Sequence, residues 1–270
     1  TEHDVGEVLL EAKDITLPRV GGGFLIDHVS LKVHAGEILG MYGLMGAGRT
    51  ELMEVLAGIR PEARGEILLE GHDIASAKVA DRIDAGVVLV PEDRKTVGLV
   101  PTLSVAHNMV LASLKRYLNR FYLSAGKEKD AVAEMIGDLS VRVADPRNSI
   151  DSLSGGNQQK VVVAKGLLTE PRVLLLDEPT RGIDVGAKSE IFQIMSRLAL
   201  EGFGIVFVSS ELKEVLAMSD RILVLSKGEV VAEFEGDRAT EKELVDASAV
   251  GHGTTAMSNG GERGTVEVIQ

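Results

Sequence analysis

Apolar residues along this chain gather into short continuous runs, and between the runs they recur at helical spacing. "EILGMYG", Glu37 to Gly43, predicts a buried strand entering a Gly-rich loop, and "TELMEVLAG" predicts the helix after it, closed by Gly58. Four more runs read as strands: "GVVLV" from Gly86, "RVLLLD" from Arg172, "GIVFVSS" from Gly204 and "RILVLS" from Arg221. Unbroken Val, Ile and Leu runs of this length suit parallel strands covered on both faces. Earlier, "VLLEAKDI" and "VSLKV" predict an antiparallel meander, which "GEILLEG", Gly65 to Gly71, joins. Between Leu103 and about Leu139 no strand signal occurs, and Val105, Met109, Leu114 and Leu118 keep helical spacing. The fold expected is therefore α/β: a mostly parallel sheet with crossovers, an antiparallel β meander and an inserted helical lobe over about 103–160. The domain should span 5–248. Residues 249–270, rich in Gly, Thr and Ser without periodicity, are expected to form a disordered tail. No internal repeat is evident.

Composition narrows the function classes. The 270 residues are 44% hydrophobic and 26% charged, enough for one large domain with a real core. Lys plus Arg number 29 against 41 Asp plus Glu, a net charge of -12, and phosphate backbones select basic surfaces, so no nucleic-acid partner is expected. The absence of Cys excludes disulfides and Cys-ligated zinc or iron–sulfur centres. No apolar run approaches the roughly 20 residues needed to cross a bilayer, and the N-terminus carries no targeting pattern. A soluble, cytoplasmic chain is expected.

Three motifs carry chemistry. "GLMGAGRTEL", Gly43 to Leu52, is one residue from a phosphate-binding loop of the form G-x-x-x-x-G-K-[ST], with Arg49 in place of Lys. Gly43, Gly46 and Gly48 let the backbone turn its N–H groups, Ala47 among them, toward phosphate oxygens, with the following helix adding positive potential. Thr50 supplies a hydroxyl for Mg²⁺. In "VLLLDEPT", Asp177 and Glu178 emerge where a parallel strand ends, the usual ligand side of an α/β sheet. Asp177 can hold the metal's water shell and Glu178 can orient or deprotonate an attacking water. In "LSGGNQQK", Ser154 stands at a helix start before Gly155 and Gly156, an arrangement able to cap an anion. Taken singly, each has a bland reading as a Gly-rich turn, a solvated strand end or an ordinary helix cap.

In this order the three motifs resemble the ATP-binding cassette (ABC) ATPases over roughly Val8 to Val245. "RGIDVGAK" stands in the place of that family's D-loop, with Asp184 within it. The set "GLMGAGRTEL", "VPEDRKTVGL", "LSGGNQQKV", "LDEPTRGIDVGAK" and "SSELKEVLAMSDRI" is similar to the second, C-terminal cassette of the tandem-cassette ATPases that power bacterial ribose-, xylose- or galactose-type importers. Such a half would begin mid-chain, in line with the absence of an initial Met. The resemblance implies ATP and Mg²⁺ as cofactors and an enzymatic role as a sugar-transporting ATPase. It implies an N-terminal cassette of the same protein, or a second copy, as partner. It also implies membrane-spanning permease subunits, indirectly a periplasmic or lipoprotein sugar-binding protein, and a peripheral place on the cytoplasmic face of the membrane. In the family two cassettes sandwich each ATP, so Ser154, Gly155, Gly156 and Asn157 would serve ATP held by the partner.

Against the wider family, four nucleotide-facing positions depart. Arg49 keeps the charge of the usual Lys but replaces a compact ammonium with a planar fork. Glu51, where a small hydroxyl is usual, brings a carboxylate toward the phosphates. Unpaired at ~4 Å and an effective dielectric near 20, that contact costs about 4 kcal/mol. Glu92 replaces the Q-loop Gln, a metal and water contact, and Ser210 replaces the switch His. Singly, Glu51 suits a helix first turn, Glu92 a solvated surface, and Ser210 a cap for "ELKEVLAM". Four at one site predict a degenerate phosphate site that turns ATP over weakly or not at all. Phe24 is a candidate to stack on adenine, "SVAHNMVLASLKRYL" a candidate surface for a membrane partner, and His28, His34, His72 and His107 lack metal spacing. Two rivals remain: a regulatory nucleotide-binding module without turnover, and a soluble, non-transport ABC ATPase.

Overall fold

The computed structural model describes residues 6–119 and 122–249. The chain opens with β1 (Val8–Pro18), β2 (Phe24–His34) and β3 (Ile38–Gly43), then α1 (Arg49–Leu56), β4 (Arg64–Leu69), β5 (His72–Asp73), α2 (Val79–Ala85) and β6 (Val87–Val90). The lobe follows as α3 (Val105–Val110), a 3-10 segment Leu111–Tyr117, β7 (Leu118–Asn119), β8 (Tyr122–Leu123) and α4 (Ala125–Asp138), and α5 (Gly155–Leu167) leads back to the sheet. The chain then runs through β9 (Val173–Asp177), α6 (Val185–Leu200), β10 (Gly204–Val208), α7 (Leu212–Met218), β11 (Arg221–Ser226), β12 (Glu229–Glu235) and α8 (Glu241–Ser248).

A six-stranded sheet of order β12-β11-β3-β10-β9-β6 forms the centre, parallel except for β12, which pairs antiparallel with β11. The expected meander is a second, antiparallel sheet of order β2-β1-β4-β5. Successive residues of the central strands enter opposite cores, as a strand's period of two requires. Leu174, Leu176, Ile205 and Phe207 pack with the lobe and α5 to α8, whereas Leu175, Val206 and Val208 pack with α1 and the antiparallel sheet. Burial on both faces is why these strands read as unbroken apolar runs.

Helix α1 ends as expected at Gly58, whose φ of 81° allows Ile59 N–H to reach Glu54 O (2.8 Å) and Gly58 N–H to reach Val55 O (3.0 Å). The lobe corrects one expectation. Val105 and Met109 are buried on α3, which Ser104 caps by accepting from His107 N–H, but Leu118 leaves the helical face for the short β7–β8 hairpin and is exposed. Two-residue strands are too short to register as a period. The predicted tail, beyond residue 249, lies outside the described residues.

Candidate nucleotide-binding site

Strands β3, β10 and β9 are neighbours and parallel, so the segments that follow them leave the same sheet edge. This brings the Gly43 to Thr50 loop, the Asp177–Glu178 step and the Ser209–Ser210 step together. The loop closes with Ala47 N–H on Leu44 O at 3.0 Å. Gly46 (φ 79°) has open space where a Cβ would stand, whereas a Cβ on Gly48 (φ 99°) would lie 2.8 Å from Ile26 Cδ1 and 2.9 Å from Leu25 O. Gly48 is therefore required twice over, for its left-handed backbone and for its packing. It is also the N-cap of α1 and provides no side chain to satisfy the first amides, which stay available to an anion.

Arg49 turns across the site. Its Nη1 donates to Ser209 O (3.0 Å) and stands 3.8 Å from Glu178 Oε1, while Ser210 Oγ donates to Glu178 Oε2 (3.0 Å). Glu178 itself has φ 48°, an uncommon conformation for a non-glycine residue, anchored by its N–H on Val208 O at 3.0 Å. Asp177 is 2% exposed, and its Oδ1 has no hydrogen-bond partner among the described residues. Burial pushes its carboxyl up to about 6; the Thr50 hydroxyl opposes the rise, Glu178 adds to it and Arg49 opposes it. A buried carboxylate oxygen left bare beside a hydroxyl is the donor set a Mg²⁺ ion would complete, so Thr50 and Asp177 fit the metal.

Glu92 does not join them. It is paired with Arg181, and no group of three or more acidic, His or Cys side chains clusters as a metal site among the described residues. Ser210 does not cap α7 either: the helix begins after Glu211, whose N–H bonds Ser209 Oγ at 3.0 Å, because the preceding serine makes the tighter local turn. Glu51 lies in the first turn of α1 and is partly buried. Phe24 is exposed at the start of β2, edge-on to His28 at 6.3 Å between ring centroids. His28 and His34 bond Asp14 (2.5 Å) and Glu37 (2.8 Å), in local pairs.

The signature segment forms a second face. Ser154 is the N-cap of α5, but its hydroxyl accepts from Asn157 Nδ2 (3.0 Å) instead of a backbone amide, so the first turn is again free of side-chain caps. A Cβ on Gly156 would lie 2.4 Å from Ala187 Cβ, which sets α5 tightly on α6, and Asp184 caps α6 by accepting from Ala187 N–H at 2.9 Å. Arg94 closes this side: Nη1 donates to Arg181 O (2.9 Å) and Nη2 to Gly182 O (3.2 Å), beside a cleft of about 560 Å³ that Lys95, Gly155 and Gln158 also line.

Two features escape sequence reading. Arg94 is one, inconspicuous inside "PEDRK". The other is Glu214, buried on α7, which accepts from Thr180, Ser209 and Lys188. Burial acts to raise its carboxyl, but the bonds from Lys188, Thr180 and Ser209 outweigh burial and hold it below the ordinary value. An acid at helical spacing looks solvated until the surrounding strands are in place.

The sequence model of the family described as "ABC transporter" matches residues 26–181, more than half of the chain. The chain belongs to the ABC transporter family. Among curated proteins, the cassette is 47% identical to the xylose import ATP-binding protein XylG of Burkholderia ambifaria, covering 91% of this chain and 48% of the relative. It is 44% identical to the protein of the same name from Photobacterium profundum, covering 92% and 49%. The chain thus spans about half the length of the curated relatives it matches. Among solved structures, a nucleotide-free ATP-binding cassette from an ABC transporter superposes with TM-score 0.75 at 21% identity, covering 89% of this chain and 95% of that one. A dimeric bacterial ABC transporter cassette superposes with TM-score 0.74 at 21% identity, covering 86% and 100%. The fold is that of an ABC nucleotide-binding domain, a mixed α/β structure with a mostly parallel sheet. No described helix is long and apolar enough to cross a membrane.

Proposed function

We propose that this cassette is the C-terminal half of the ATP-driven motor of a monosaccharide importer. Its span of 5–248 and lobe of about 103–160 form one nucleotide-binding domain. Relatives named as xylose import ATP-binding proteins, roughly twice as long as the match, support the sugar and the tandem reading. Its partners are then the N-terminal cassette, permease subunits at the cytoplasmic face and, through them, a sugar-binding protein. ATP lies on the loop from Gly43 to Glu51, with its phosphates facing the bare amides of α1. Mg²⁺, where bound, would be held by Thr50 and Asp177 and would neutralise phosphate charge. Glu178 would orient water, with Ser210 bonded to its carboxylate.

The observation that carries the reading of weak turnover is Arg49, whose Nη1 donates to Ser209 O and stands 3.8 Å from the carboxylate that would act on water. Held beside that cation and bonded by Ser210, Glu178 has less of its carboxylate free to orient an attacking water. Glu51 adds negative charge to the same loop. Ser154, Gly155, Gly156 and Asn157 instead complete the partner's ATP site, with Asp184 at the junction. The test is calorimetric titration of the chain with Mg-ATP, together with phosphate release. Weak binding with negligible release is expected; turnover in the ordinary enzyme range of ~1 to 100 s⁻¹ would sink the degenerate-site reading.

A further inference from the structure

The buried carboxylate of Glu214 touches neither the phosphate loop nor Glu178, yet it joins three segments that border them. Its Oε2 accepts from Thr180 Oγ1 (2.7 Å) and Ser209 Oγ (2.8 Å), and its Oε1 accepts from Lys188 Nζ (2.8 Å). Thr180 follows the Asp177–Glu178 step. Ser209 precedes Ser210, and its carbonyl is the acceptor that holds Arg49. Lys188 lies in the first turn of α6, where its own N–H bonds the carbonyl of Asp184 (2.9 Å), and its ammonium also meets Glu211, which precedes α7. Buried ion pairs add little net stability over apolar packing of the same shape, whereas removing one partner is costly. What distinguishes this one is that the ends of β9 and β10 and the start of α6 share a single carboxylate.

We propose that Glu214 is a positioning residue that links nucleotide held at the Gly43–Glu51 loop to the Asp184 end of α6. Any nucleotide that draws Arg49 toward its phosphates releases the Ser209 carbonyl. Ser209 is also fixed through its hydroxyl to Glu214, so its displacement bears directly on Lys188. The inference rests on the proposed reading of the loop as a nucleotide site.

The test uses the full chain, with saturating Mg-ATP as the probe and hydrogen exchange over residues 184–190 as the readout, beside thermal melts and calorimetric affinity. Lys188→Met strands the buried Glu214 charge and Glu214→Gln leaves Lys188 only the exposed Glu211, so both should melt earlier. The double variant leaves no buried charge unpaired and should recover most of that loss. In the unaltered chain Mg-ATP should slow exchange over 184–190; in the double variant that effect should fall about fivefold or more, with affinity nearly unchanged. A merely structural role predicts that the nucleotide effect returns with stability in the double variant, and that result would overturn the inference. An unaltered chain that binds Mg-ATP without slowing exchange there overturns it as well. A chain that binds no Mg-ATP overturns the reading of the loop and the inference together. If Glu214→Gln does not fold, the double variant decides the matter.

Discussion

At the scale of single residues, the site is set by charges placed where water cannot screen them. Asp177 is nearly inaccessible, and its carboxyl is raised from its ordinary 3.8 to about 6 chiefly by burial. A group raised in the folded state binds protons more tightly there than in the unfolded chain, so its contribution favours folding at low pH and is lost as pH rises from about 4 through 6. A shift of this size corresponds to about 3 kcal/mol at most. Asp177→Asn removes the titration. In urea unfolding without metal or nucleotide, the variant should gain on the unaltered chain by roughly 2 kcal/mol between pH 4 and pH 8. A constant difference across that range would mean the carboxyl is not desolvated. Arg49 and Glu51 give a second residue-scale prediction. Arg49 retains a positive charge and a carbonyl partner, whereas Glu51 opposes a triphosphate outright. Calorimetry should therefore find Mg-ATP bound more tightly in Glu51→Ser than in Arg49→Lys. An unchanged dissociation constant in Glu51→Ser would place that side chain's charge outside the ligand's reach.

At the scale of elements, the signature helix is held by an unusual contact. Lys160 of α5 is 1% exposed; its Nζ donates to Ser140 O (3.0 Å) and pairs with Glu190 of α6 (2.8 Å). Lys160→Met keeps the stem's apolar packing but leaves the Ser140 carbonyl without that donor, at a cost of about 1 to 3 kcal/mol. Glu190 retains Arg142 at 2.9 Å and some solvent, which puts the loss toward the lower end. Urea midpoints measure it, and an unchanged midpoint would show that apolar packing alone seats α5. What the sequence disclosed about such elements depended on how burial writes itself into composition. Strands β3, β9, β10 and β11 are covered on both faces and read directly as apolar runs. Strand β12, "EVVAEFE", is only partly buried and alternates with charge, so its pairing with β11 was not legible. The phosphate loop was legible because glycine spacing is a local demand of backbone geometry. The ties Arg94 makes to Arg181 and Gly182, and Glu214 to Thr180 and Lys188, join residues distant in sequence, and no local pattern encodes them.

At the scale of the whole molecule, the cassette presents two faces with helix starts free of side-chain caps, at α1 and at α5, and they differ in chemistry. The phosphate-loop face carries Glu51, and its cation is engaged by Glu178. The signature face offers uncapped amides at the start of α5, with Arg94 and Lys95 beside them. If ATP of the partner cassette closes on the second face, Gly155→Asp sets a carboxylate where amides should stabilise developing charge. A Cβ at this position also falls 2.9 Å from Arg94 Nη2, so the guanidinium must shift, and its bonds to the carbonyls of Arg181 and Gly182 weaken with it. Loss of such stabilisation typically lowers rate ~10²-fold or more. On the proposed reading Arg49→Ala should do far less, because its own site would contribute little turnover. The expected outcome in the assembled transporter is an asymmetry: ATPase activity and sugar uptake collapse in Gly155→Asp and largely persist in Arg49→Ala, with expression and assembly matched. Equal collapse would mean that both composite sites hydrolyse ATP, and the reverse order would exchange the roles of the two faces.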